Sequence, residues 1–221
     1  MLSKCESRLG LVFALVFGVL APAPTASLAA QQPAAAPPPP LAQKEAERSC
    51  VNAKLKVEGV PRLGQVTPTL LRGGQPTETG FRKLKEMGVE VVVNFRDEPD
   101  KIAAEKKQVE ALGMRYRSIP WNASKGPDDR QVAEFLEWVR ANPERKVFVH
   151  CHLGRERTGV MVAAYRIVMQ NWSVPQALDE MEFFGIRGLW FGHLKQYIRE
   201  LPKKLQSDPT FHALAPAPAS P

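Results

Sequence analysis

Cysteine is scarce in this chain, with three in 221 residues: Cys5, Cys50 and Cys151. That is too few for a disulfide framework, so stability has to come from an apolar core. Long hydrophobic runs are missing too. The apolar stretch from Leu9 to Ala21 falls short of the ~20 residues that a membrane-spanning helix needs. The formal net charge is +7, yet no Lys/Arg tract is dense enough to form a nucleic-acid footprint. A modest positive balance suits anionic substrates instead. The Gly-Lys-Ser/Thr ending of a Walker phosphate loop is absent, which excludes nucleotide hydrolysis by that route. No internal repeat recurs.

What is present falls into four stretches. Lys4 and Arg8 precede the apolar run, and small residues follow it to Ser27-Leu28-Ala29, an A-x-A-like cleavage site. Residues 1–29 therefore read as a signal peptide, with a second cut one residue later and an uncleaved anchor as alternatives. The expected location is periplasmic or secreted, with no membrane span once the signal is removed. Residues 30–48 include an Ala/Pro tract with four consecutive prolines and read as an extended linker. Residues 49–205 read as the folded domain, and 206–221 as a disordered Ala/Pro-rich tail. Hydrophobic residues make up 44% of the chain, with four Trp and ten Phe, enough for a real core.

Within the domain, short apolar runs alternate with amphipathic segments. Leu70-Leu71-Arg72, Val89 to Asn94, Met114 to Ile119 and Val147 to His150 read as strands. Three consecutive valines mark the second of these as buried on both faces. Helices are expected from Thr77 to Met87, Lys101 to Leu112, Asp128 to Arg140, Arg157 to Met169, from Ser173, and from about Leu189 to Leu201. Gly88 and Gly113 stop the first two. Val132, Phe135, Leu136 and Val139 share one helical face. Gln176 stands at the capping-box position behind Ser173. This alternation implies a single α/β domain, with a mostly parallel central sheet of about four to five strands and helices on both faces.

The chemistry is concentrated in His150-Cys151-His152-Leu153-Gly154-Arg155-Glu156-Arg157-Thr158-Gly159. A buried strand ends at His150 and a buried helix is under way at Arg157. Loop amides between a strand and a helix converge into an anion-binding nest, and the helix N-terminus adds partial positive charge. His152, Leu153, Gly154, Arg155, Glu156 and Arg157 would supply the phosphate cradle. The same field favours thiolate over thiol at Cys151, so that ionisation is expected well below the free value of ~8.5. A thiolate under a bound phosphate is placed for in-line attack. Arg157 offers a planar fork to two phosphate oxygens. Thr158 can donate its hydroxyl to the departing sulfur, and His150 orients the loop. A bond between Cys50 and Cys151 would block the nucleophile, so Cys50 is expected to stand apart. Adjacent strand residues point to opposite faces, which argues against a metal cluster at His150-Cys151-His152. Arg155 either adds charge to the pocket or is solvated. Arg72 and Gln75 either border the pocket or simply follow a short strand. Trp172, Trp190 and Phe191 read as packing residues.

At these positions the chain resembles the protein tyrosine phosphatase superfamily, whose signature is His-Cys, five residues, Arg, then Ser or Thr. Leu71-Arg72-Gly73-Gly74-Gln75-Pro76 and Val93-Asn94-Phe95-Arg96 extend the resemblance to small bacterial dual-specificity-type enzymes, over most of residues 60 to 200. The resemblance implies a two-step mechanism through a phosphocysteine, without metal or cofactor. It also implies an Asp general acid ahead of the cysteine loop. The slot just after the strand holds Asn122 instead. Asp128 is the first candidate, and Asp129 and Asp97 are the alternatives. Expected partners are a phosphorylated protein or a small phosphorylated molecule such as an inositol phosphate, with no nucleic acid, and the protein is expected to be a monomer. Two competing readings are a catalytically weak phosphate-binding module and a sulfurtransferase. The Arg157-Thr158-Gly159 ending argues against the second.

Overall fold

The structure, a computed structural model, describes residues 54–186 and 191–214. The expected signal, the linker, Cys50, Trp190 and the end of the tail lie outside these residues. Among the described residues, no helix is long and apolar enough to cross a membrane.

Five strands form one sheet: β1 (Gly64–Gln65), β2 (Leu70–Gly73), β3 (Val91–Asn94), β4 (Arg115–Ser118) and β5 (Val147–His150). Their order is β1-β2-β5-β3-β4. β2, β5, β3 and β4 run parallel, and only β1 is antiparallel to its neighbour. The cysteine-bearing strand β5 thus lies at the centre, buried from edge to edge, as its continuous apolar run implies.

Among the described residues six α-helices cover the sheet: α1 (Glu78–Glu86), α2 (Pro99–Ala111), α3 (Asp129–Arg140), α4 (Glu156–Gln170), α5 (Val174–Phe183) and α6 (Gly192–Ser207). Side-chain alternation decides which face each strand residue serves. Val91, Val93, Val147, Val149 and Cys151 join the larger core with α3, α4, α5 and α6. Leu71, Val92 and Phe148 join the smaller one, with Phe81 and Leu84 of α1 and Val109 of α2. Cys151 therefore leaves the sheet towards α4, while His150 points to the side of α1 and α2.

The helix ends follow from local chemistry. Thr77 caps α1 by accepting from the Gly80 amide at 3.2 Å, and Gly88 follows it in the left-handed region at φ +84°. At α3, Asp128 accepts from the Gln131 amide at 2.8 Å while Gln131 Oε1 accepts from the Asp128 amide at 3.0 Å. α4 is buried over most of its length, as expected of a helix with apolar residues all round.

The chain departs from expectation at its C-terminal end. The domain does not close at residue 205. α6 passes through Pro202 and runs to Ser207, and a 3₁₀ helix, Pro209–Leu214, follows. Phe211 and Leu214 sit in the larger core, the former fully buried. These two apolar residues anchor a segment whose neighbours resemble the Ala/Pro tail in composition. β1 was not anticipated either, because two residues carry no periodicity.

Candidate active site

β5 delivers the chain to Cys151 at the C-terminal edge of the parallel strands, where α/β folds bind ligands. The loop turns at Gly154, whose φ is +68°. A Cβ there would stand 2.4 Å from the carbonyl of Gly73 and 2.4 Å from the amide of Gly74, so no other residue fits. The loop thus rests directly on the turn that follows β2. Gln75 N donates to His152 O at 3.0 Å, and Arg62 Nη1 donates to Leu153 O at 3.2 Å, which fixes two of the loop's outward carbonyls.

Cys151 is 1% exposed, and its Sγ accepts from the Gly154 amide at 3.3 Å. Arg157, in the first turn of α4, donates through Nη1 to Asp97 and to Trp121 O at 3.4 Å. Thr158 Oγ1 is buried and has no hydrogen-bond partner among the described residues. His152 is exposed and lies on the outer side of the loop. Arg155, partly buried, pairs with Glu156 at 3.0 Å rather than standing free in solvent.

Beneath the loop on the other face lies a polar network that was not foreseen. His150 is fully buried. Its Nε2 donates to Glu105 Oε1 at 2.8 Å, and Nδ1 lies 3.3 Å from the carbonyl oxygen of Cys151. Its ring stacks on Phe148. Glu105 Oε2 accepts from Gln75 at 2.6 Å, and Gln75 Oε1 accepts from Arg96 at 2.8 Å. Arg96 grips Glu98 through Nε at 3.2 Å and Nη2 at 2.8 Å. The Arg96 guanidinium holds the Glu98 carboxyl down to about 2, and Glu98 in turn raises Arg96. The signal for Glu105 was an acid four residues before Val109, on the apolar side of α2.

The three candidate acids go to different places. Asp128 is exposed and spends its carboxylate on the α3 cap. Asp129 accepts from Tyr197 Oη at 2.8 Å and from Lys204 Nζ at 2.9 Å. Burial and that carboxylate push the Tyr197 hydroxyl upward. Of the three, only Asp97 touches Arg157. It receives Arg157 on one oxygen and Asn122 Nδ2 on the other, at 2.9 Å. Asn122, in the slot where an acid was expected, holds that acid in place from a neighbouring loop.

A family profile described as "PTP-NADK: DSP-PTPase phosphatase fused to NAD+ Kinase" matches residues 59–189. The chain belongs to the DSP-PTPase phosphatase family. Dual specificity protein phosphatase TpbA of Pseudomonas aeruginosa is 34% identical over 124 residues, which cover 56% of this chain and 54% of that protein. The chain thus spans about half the length of the curated relative it matches. The crystal structure of P. aeruginosa TpbA superposes with a TM-score of 0.60 at 28% identity, over 76% of this chain and 99% of that one. A cysteine-to-serine variant of TpbA in complex with pTyr superposes with a TM-score of 0.51, at 28% identity, over 66% and 94%. The phosphatase signature residues His150, Cys151, Arg157 and Thr158 all lie within the matched segment. Within this phosphatase fold Arg157 was readable from spacing. Asp97 was one of three candidate acids, but its pairing with Arg157 was not readable, because the two lie sixty positions apart in the chain.

Proposed function

We propose that this chain hydrolyses phosphate monoesters through a phosphocysteine, with phosphotyrosine-type protein substrates favoured. The observation that carries this reading is the Gly154 amide donating to the buried Cys151 Sγ at 3.3 Å, in a loop closed by Arg157. The TpbA relative and its complex with pTyr support the substrate class.

In the first step the Cys151 sulfur attacks phosphorus. A P–S bond forms and the P–O bond to the leaving group breaks. Loop amides and Arg157 take up the charge on the equatorial oxygens. The leaving oxygen takes its proton from Asp97, assigned here in place of Asp128 because only Asp97 reaches the clamp. A bound phosphate competes with Asp97 for Arg157, which frees the carboxyl to face the leaving group. In the second step the Asp97 carboxylate takes a proton from a water whose oxygen attacks phosphorus, and the P–S bond breaks. Inorganic phosphate departs, and the returning sulfur charge is met by the Gly154 amide and the Thr158 hydroxyl. His150, held by Glu105, keeps the loop in register.

Hydrolysis of para-nitrophenyl phosphate by the wild type and its loss in Cys151→Ser tests the reaction. Retained turnover in that variant would sink it. A panel of phosphotyrosine, phosphoserine and phosphothreonine peptides with inositol phosphates then tests the substrate class. Activity confined to the small molecules would reverse the stated preference. The apolar segment behind Lys4 and Arg8 supports export to the periplasm or beyond, which fractionation of cells making the full chain would check.

A further inference from the structure

Three arginines from different parts of the fold stand at the cysteine loop and its neighbouring turns: Arg72 of β2, which bonds Gly154 O, Arg96 just after β3, and Arg157 of α4. Two of them have carboxylate partners, Glu98 for Arg96 and Asp97 for Arg157. Of the other nearby acids, Glu105 is taken by His150 and Glu180 by Arg166. Arg72 has no ion pair among the described residues, although it is only 1% exposed. Its Nη2 donates to Gly154 O at 3.4 Å, while Nε and Nη1 are buried without a hydrogen-bond partner. A buried charge without an opposite charge is among the costliest arrangements a protein can keep.

The same core shows that the fold pairs such a group when it needs only packing. Arg166, fully buried in α4, meets Glu180 through Nε at 3.1 Å and Nη2 at 2.7 Å, and Val66 O through Nη1 at 2.9 Å. Those contacts engage both oxygens of Glu180. Arg72 is instead built into a column under the loop. Its guanidinium lies 3.8 Å from the ring centroid of Phe184. Phe184 has room because residue 64 is glycine: a Cβ there would stand 2.5 Å from that ring. Gly64 is also the strand partner of Arg72. Stacking on a ring while bonding a carbonyl edge-on requires a planar fork, which lysine lacks.

We propose that Arg72 is a positioning residue of the active site: from beneath the loop it fixes Gly154, whose amide donates to Cys151 Sγ, and it supplies the positive charge that keeps that sulfur ionised. This rests on the phosphatase reading, since Glu180 is already paired with Arg166 and an ionised Cys151 is the other negative charge that acts on Arg72. Burial lowers Arg72 from its ordinary value to about 10, with the Glu180 carboxylate and an ionised Cys151 acting against that fall.

The test is the rate of Cys151 alkylation by iodoacetamide against pH, in the wild type, Arg72→Met and Arg72→Lys, with thermal melts to verify folding. In Arg72→Met the midpoint should rise by about one pH unit or more, slowing alkylation at pH 6 about tenfold. Arg72→Lys, which keeps the charge and loses the fork, should recover most of the midpoint but not the wild-type kcat. A folded Arg72→Met with the wild-type midpoint overturns the proposal. A wild-type midpoint at the ordinary thiol value, ~8.5, instead overturns the phosphatase reading itself. Where Arg72→Met does not fold, the Arg72 Nε–H resonance of the wild-type protein gives the answer. It should titrate with the alkylation midpoint and lose that titration in Cys151→Ser. A resonance that ignores pH in both proteins overturns the proposal.

Discussion

In the free protein Arg157 is occupied by Asp97, and Asp97 is itself held by Asn122. This small chain of contacts separates the candidate acids experimentally. Asp97→Ala should remove the basic limb of the kcat–pH profile and lower kcat by about 10²–10⁴ on substrates with poor leaving groups. Asp128→Ala should leave the bell intact and cost about 1 kcal/mol of stability through the lost α3 cap. A bell that survives Asp97→Ala contradicts the assignment. Gly154 is the other decisive residue. Gly154→Ala combines a left-handed φ with a Cβ 2.4 Å from the Gly73 carbonyl, and should abolish most activity while costing roughly 1–3 kcal/mol by chemical denaturation. At this scale the sequence was readable where the site is contiguous. Cys151, Gly154, Arg157 and Thr158 lie in one loop and its helix. Asp97 and Arg72 could be offered only as alternatives at the pocket and Glu105 not at all, because their contacts with the loop and its helix are long-range.

Among the elements, capping and periodicity were legible because they are local. Thr77, Asp128 and Ser173 stand where helices begin, and the valines of β3 and β5 announce a sheet covered on both faces. What local pattern could not supply was a strand as short as β1, or the continuation of α6 past Pro202. The segment between β3 and α2 carries its own prediction. Arg96 keeps Glu98 near 2, below the ~4.3 expected of an unfolded glutamate. A carboxyl depressed by folding adds stability that is fully present above the unfolded value and is lost as pH falls towards the folded one. Glu98→Gln should therefore lower the Tm at pH 7 slightly, and the difference should shrink between pH 4.5 and 2. Because the Glu98 side chain is 47% exposed, the effect is about 1 kcal/mol or less. Thermal melts of both proteins across that window check the sign.

For the molecule as a whole, two apolar layers hold a central strand whose last residue and its successor face opposite ways. His150 is anchored in one layer and Cys151 opens towards the other. The larger layer is completed by Phe211 and Leu214, which lie beyond the boundary that composition suggested. Phe211→Ala should cost about 3–5 kcal/mol, and a chain ending at Leu205 should melt well below one ending at Leu214. Equal Tm values for the two truncations would show that the 3₁₀ helix is dispensable. The most direct measurement of the central claim is protection of Cys151 by inorganic phosphate. At neutral pH the wild-type sulfur should react rapidly with iodoacetate, and added phosphate should slow that reaction in a saturable way that Arg157→Ala weakens. Slow alkylation typical of an un-ionised thiol, or alkylation indifferent to phosphate, would contradict a loop that holds an oxyanion over a charged sulfur.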